Sequence, residues 1–153
     1  MAWRTAYEIS LDIAAPIDTV WGLLADGRSW SDWSFIPRSE LECEGVPAPD
    51  GVGAIRRLGA PPIVSRERVV EFTPPSRFVY ESVSGVPVAG YRATVELTEV
   101  DGRTKVQWSG SFEPKWSIGV GAVGGYLKFA VKKISSGLVK EAERLAAAGS
   151  ANN

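Results

Sequence analysis

The last third of this chain constrains its fold most. Val123, Leu127, Ala130, Val131, Ile134, Leu138, Ala142 and Leu145 recur at spacings of three and four residues, the signature of one apolar stripe on an α-helix. Lys128, Lys132 and Ser135 fall on the other side. The pattern predicts a single helix from about Val120 to Ala147, roughly 40 Å long at the standard rise. A stripe of that length must lie across a sheet. Gly149 to Asn153 reads as a frayed tail.

Upstream, the sequence switches to a period of two. Tyr7, Ile9, Leu11 and Ile13 alternate with Glu8, Ser10 and Asp12, as in a half-buried strand. Ala15-Pro16 stops it, and Asp18 precedes Val20, Trp21, Leu23 and Leu24, a short helix ended by Gly27. Trp30 and Trp33 stand three residues apart, placing both indoles on one side of a second helical turn that Pro37 closes. From Arg38 to Pro114 six strand-like segments follow: Leu41–Glu44, Gly53–Leu58, Val64–Phe72, Phe78–Val83, Tyr91–Val100 and Thr104–Phe112. Turn residues separate them, Asp101-Gly102 giving the clearest hairpin signal. In the fifth segment Tyr91, Ala93, Val95 and Leu97 share one face, and Arg92, Thr94, Glu96 and Thr98 the other.

The expected fold is therefore α+β: a seven-stranded curved antiparallel sheet wrapped around a long C-terminal helix, with two short helices after strand 1. One domain spans 1–153, with an ordered core of about 5–147. The first strand must pair at an edge. A twisted sheet of this size curls, and one helix cannot fill its concave side. The shape predicts an apolar cavity between sheet and helix.

Composition narrows the chemistry. With 17 Lys+Arg against 18 Asp+Glu and no dense basic stretch, no nucleic-acid partner is expected. The longest apolar run, Ile118 to Leu127, is too short and Gly-rich to span a bilayer, so no stable membrane insertion is expected. Met1-Ala2-Trp3-Arg4 lacks the apolar core of a secretion signal, which makes a cytoplasmic location the expectation. There is no histidine, which excludes Ser-His-Asp and Cys-His catalysis and every histidine-containing metal site. The single cysteine, Cys43, permits neither an internal disulfide nor a cysteine-cluster zinc site, and its place in an alternating segment makes it a small strand residue. Gly119, Gly121 and Gly124 match the spacing of a dinucleotide fingerprint, but no strand follows the helix and no second half of a βαβ unit exists. The glycines instead make a flexible entry to the helix, serving close packing or a gate at the cavity mouth. No metal or nucleotide cofactor is expected.

Several local sequences carry a resemblance. They are Ile13-Ala14-Ala15-Pro16-Ile17-Asp18-Thr19-Val20-Trp21 at the first strand–helix junction, Trp30-Ser31-Asp32-Trp33 after it, Val70-Glu71-Phe72-Thr73-Pro74-Pro75 at a strand end, Tyr91-Arg92-Ala93, and Val106-Gln107-Trp108. In this order, from about Tyr7 to Leu145, the chain resembles the START/polyketide-cyclase (SRPBCC) superfamily, the helix-grip fold of the birch-pollen-allergen type. The resemblance implies that fold and a hydrophobic ligand. It does not single out one function, because the superfamily includes lipid and hormone carriers, aromatase/cyclases, hydrolase-like members and chaperone activators.

Aromatic residues exceed what a helix-on-sheet core needs. The ligand-lining candidates are Trp33, Ile55, Tyr80, Tyr91, Trp108, Phe112, Trp116 and Phe129, with Trp33, Tyr91 and Trp108 as cavity walls. Charged strand residues, Arg56, Arg57, Arg66, Arg68, Glu81 and Glu96 among them, suit cross-strand pairing on the solvent face. Glu67, Glu71, Tyr80 and Arg92 are the candidates for inward polar groups with acid/base or oxyanion-holding roles. If the Val69 face is inward, Glu67 and Glu71 go with it. If the Val70/Phe72 face is inward, Arg66 and Arg68 do. The expected function is binding of a polyketide-, lipid- or aromatic-like small molecule by a monomer or homodimer. The alternatives are a polyketide aromatase/cyclase-dehydratase, favoured by unpartnered inward polar groups, and a protein-interaction module, favoured by a filled core with an exposed apolar patch.

Overall fold

The computed structural model describes residues 4–86, 90–113 and 120–151. In chain order the elements are β1 (Arg4–Ile13), α1 (Ile17–Ala25), α2 (Trp30–Trp33), β2 (Ser39–Cys43), β3 (Ile55–Ala60), β4 (Ile63–Thr73), β5 (Arg77–Ser84), β6 (Arg92–Val100), β7 (Arg103–Phe112) and α3 (Val120–Ala151). The strands form one antiparallel sheet in the order β1-β7-β6-β5-β4-β3-β2. The first strand pairs at an edge, as its isolation in the sequence required. The architecture is the helix-grip fold.

Local chemistry explains the joints. Pro16 precedes α1, and Asp18 lies in its first turn, where a carboxylate favours the positive end of the helix dipole. Between β6 and β7, Asp101 and Gly102 both take positive φ, 52° and 78°, the backbone of a tight hairpin whose twist matches its strands. Thr104 donates its hydroxyl to the Ala15 carbonyl at 2.7 Å, pinning the start of β7 to the turn that leaves β1.

The long helix packs most closely along edge strand β1 and against α1 and α2, and its apolar stripe joins the core cluster of the inner sheet face. Ala14 donates its N–H to Glu143 Oε2 at 2.9 Å, and Gly137 is needed because the Trp33 carbonyl occupies the space of any Cβ there. Leu127, Val131, Ile134, Leu138 and Ala142 form its buried stripe. Ser135 is buried with them rather than facing solvent, its hydroxyl returned to the Val131 carbonyl at 2.7 Å. The helix also continues past Ala147 to Ala151. Ala146, Ala147 and Ala148 sustain it, alanine being the strongest helix former. The expected frayed tail therefore starts later, and Asn152 and Asn153 lie outside the described residues. No helix among the described residues is long and apolar enough to cross a membrane.

Candidate functional site

The inner face of the sheet is mostly apolar, with a line of polar side chains and one buried arginine. On β4, Glu67 and Val69 are buried. Strict alternation would carry Glu71 inward after them, but the register with β5 shifts between Val69↔Tyr80 and Glu71↔Val79. This bulge at Val70 reverses the parity of the strand. Phe72 turns inward to meet Trp21, and Glu71 emerges into solvent, paired with Arg77 at 3.1 Å. Both sequence registers are thus used, one on each side of the bulge.

Glu67 ends in an interior that answers only half of its carboxyl. Ser65 donates to Oε1 at 3.3 Å, whereas Oε2 is buried without a partner. Burial, offset in part by Arg56 and the Ser65 bond, raises its pKa to about 7. A carboxyl so placed can give or take a proton near neutrality.

Beside it stand three buried phenols: Tyr7 on β1, Tyr80 on β5 and Tyr91 just ahead of β6. The Tyr7 and Tyr91 hydroxyls hydrogen-bond to each other. Trp108 donates its indole N–H to the Tyr80 oxygen at 3.2 Å, and the Tyr80 hydroxyl in turn donates toward Tyr7. Burial pushes all three phenols above the usual tyrosine range, and the Glu67 charge pushes in the same direction. They remain protonated at neutral pH and act as hydrogen-bonding groups. Room for them comes from two small residues that pair across β6 and β7, Ala93 and Gly110. A Cβ at Gly110 would collide with the Tyr7 ring.

Arg56, directly opposite Glu67 on β3, is the other buried charge. Its guanidinium donates to the carbonyls of Ala25 at 2.8 Å and Leu24 at 3.4 Å, and lies over the rings of Trp30 and Phe78 at 5.5 and 5.2 Å. Gly27 leaves it space, since a Cβ there would sit 2.9 Å from Nε. Burial lowers its pKa, against the attraction of Asp50 and Glu67. Arg56 therefore fastens the negative end of α1 to the sheet. Its Nε is buried and unpartnered.

Of the residues picked from the sequence, the interior brings together Glu67, Tyr80, Tyr91, Trp108 and Phe112. Trp33 is also buried, on α2, with its ring 5.5 Å from Trp30 and its N–H on Ser29 Oγ at 3.0 Å. Trp116 lies outside the described residues. The remaining four point elsewhere. Glu71 is turned out by the bulge. Arg92 alternates with buried Tyr91 and Ala93, so it faces solvent and pairs with Glu81 at 3.3 Å. Ile55 is on the outer face for the same reason, between buried Ala54 and Arg56. Phe129 is 58% exposed, opposite the buried stripe of α3. Two residues outside the site candidates join the inner cluster: Tyr7, and Arg56, which is fully buried instead of pairing on the solvent face as expected. The alternation Ala54, Arg56, Leu58 holds the signal for the second, and Tyr7 opens the apolar face of β1.

The glycine-rich entry to α3 is not explained by crowding. A Cβ at Gly124 would meet the Phe112 ring at an ordinary 3.8 Å, and one at Gly125 would meet open space. Gly119 lies outside the described residues. A separate solvent-open groove of about 620 Å³ runs between β1 and α3, walled by Ile9, Ser10, Leu11, Lys132, Ser136 and Lys140 among others. Among the described residues, no three Cys, Asp or Glu side chains are grouped to hold a metal ion.

Known proteins can be set beside this geometry. No curated protein matches the chain by sequence. Among solved structures, Ara h 8.0201 superposes with a TM-score of 0.72 at 17% identity, covering 96% of this chain and 99% of its own. A START superfamily protein from Mycobacterium smegmatis gives 0.71 at 15% identity, with 91% and 97% covered. The Zhui aromatase/cyclase from a Streptomyces species gives 0.70 at 21% identity, with 94% and 95% covered. At such identities these likenesses establish the fold alone. The family model described as polyketide cyclase / dehydrase and lipid transport matches residues 4–148, nearly the whole chain, and the chain belongs to that family.

Proposed function

We propose that this protein binds a hydrophobic small molecule with one polar end, in a cavity between the sheet and α3. One observation carries the reading: the buried line of Glu67, Tyr7, Tyr80 and Tyr91, set beside Arg56 in a mostly apolar interior. Buried polar atoms without partners are costly, and the free Glu67 Oε2 gives a ligand hydroxyl or carbonyl something to meet. Trp33, Tyr91, Trp108 and Phe112 supply aromatic walls that suit a cyclic or polyketide-like body. Family membership supports the same reading.

A second reading, an aromatase/cyclase-dehydratase, is favoured by Glu67 specifically. Its pKa of about 7 suits a group that removes a proton beside a carbonyl while a phenol steadies the enolate oxygen. The nominated residues are Glu67 and Tyr80, with Glu71 and Arg92 removed by their outward placement.

The test uses 2-naphthol and naphthalene as probes, followed by tryptophan fluorescence. The hydroxylated probe should bind more tightly by ~tenfold, equivalent to one good hydrogen bond. Tyr80→Phe combined with Glu67→Gln should erase that preference while naphthalene affinity stays. Equal affinity of wild type for the two probes, or no binding of either, would sink the reading.

A further inference from the structure

The outer face of α3 departs from what water favours. Its centre, directly opposite the buried stripe, is occupied by Phe129, 58% exposed, with Tyr126 one turn earlier at 57%. From the segment after α2, Phe35 joins them, 54% exposed. Lys133 ties this patch together, its ammonium 5.4 Å from the Phe129 ring and 5.8 Å from the Phe35 ring. Exposed large aromatics scattered singly mean little, but here two elements converge on one spot.

Charge is segregated on the same helix. From Val120 to Lys140 it carries Lys128, Lys132, Lys133 and Lys140 and no acidic residue, the first being Glu141. Lys128, Lys132 and Lys133 are all exposed. A net charge of −1 for the whole chain makes this concentration local. Aromatic side chains beside lysines on a solvent-facing helix are the composition that settles at a bilayer interface: the rings enter the acyl boundary and the ammonium groups reach the anionic headgroups.

We propose that the outer face of the first half of α3, with Phe35 beside it, is a docking surface for an anionic lipid bilayer. A second copy of this chain is the less suited occupant. A two-fold interface places the same patch on itself, so lysines would face lysines with no acid on that stretch to answer them. The proposal concerns peripheral contact, compatible with the absence of a spanning helix among the described residues. It stands independently of which ligand the interior takes.

The experiment is sedimentation of the full chain with phosphatidylcholine vesicles, with and without about one-third phosphatidylserine. Binding should require phosphatidylserine and fall as salt rises. Phe35→Ser with Phe129→Ser should weaken partitioning by at least ~tenfold while leaving the thermal midpoint unchanged, since both residues are exposed. Lys132→Glu with Lys133→Glu should remove the phosphatidylserine dependence. Failure of the wild type to sediment with anionic vesicles, or undiminished sedimentation of the Phe double variant, would overturn the proposal. So would a dimer in light scattering that the Phe double variant dissolves, or single-stranded RNA binding that displaces the vesicles.

Discussion

On the outer face of the sheet, Arg68, Glu71, Arg77, Glu81, Arg92 and Glu96 neutralise one another across β4, β5 and β6, with Arg77 bridging Glu71 and Glu96, and Glu81 shared by Arg68 and Arg92. On the inner face, Arg56 and Glu67 occupy directly opposed positions of β3 and β4, yet no ion pair within 4.0 Å joins them, and each retains a buried atom without a partner. The same residue types thus serve different ends. In water, pairing is easy and adds little. In the interior, an incompletely bonded charge is expensive, and it persists where something else uses it. Arg56 has a structural use, holding the end of α1. Glu67 has none visible within the fold.

The largest expected effect comes from breaking the structural half of the inner pair. Arg56→Ala strips the Ala25 carbonyl of its side-chain donor, leaves the Leu24 carbonyl to the Trp30 indole alone, and empties the space between Trp30 and Phe78. Urea unfolding at pH 7 should show a loss of roughly 3 to 5 kcal/mol. A loss below ~1 kcal/mol would mean that Arg56 is no more structural than an outer arginine.

Glu67 should behave in the opposite sense. Its carboxyl rises from 4.5 to about 7 on folding, so between those values the folded state holds a proton that the unfolded chain has released. Wild-type stability should therefore fall as pH rises from 4.5 to about 7 and level off above, by about 3 kcal/mol at most for a shift of that size. Glu67→Gln should flatten this slope and be the more stable protein, relative to wild type, at pH 8 than at pH 4. An identical slope in the variant would show that Glu67 is solvated and ordinary.

The smallest effect belongs to the outer face. Arg92→Ala should change stability by less than ~0.5 kcal/mol and leave probe binding untouched. A tenfold loss of 2-naphthol affinity on this change would return Arg92 to the interior and undo the contrast between the two faces.

Much of this was legible locally. The alternation of β1, the hairpin at Asp101-Gly102 and the stripe of α3 need only short-range geometry, and the stripe already excluded Phe129, since Leu127, Val131, Ile134 and Leu138 leave it on the far side. Arg92 was excluded in the same way by Tyr91 and Ala93. For these two, side-chain chemistry suggests the site while the period places them outside. Glu71 is different: nothing in Arg66 to Phe72 marks where the parity reverses.

By itself the sequence determined the order of elements, the antiparallel sheet with its first strand at an edge, and the absence of histidine and cysteine-pair chemistry, because period, turn residues and composition are properties of the chain alone. Only the tertiary structure decided which charges are buried. A bulge exists in the pairing of two strands, one residue extra on one of them, and the Val70 bulge sends Glu67 in and Glu71 out. Arg56 is held by carbonyls and rings that are distant in sequence, Leu24 and Ala25 on one side and Phe78 on the other. The polar line in the interior, and the aromatic and lysine face outside α3, are both products of that assembly.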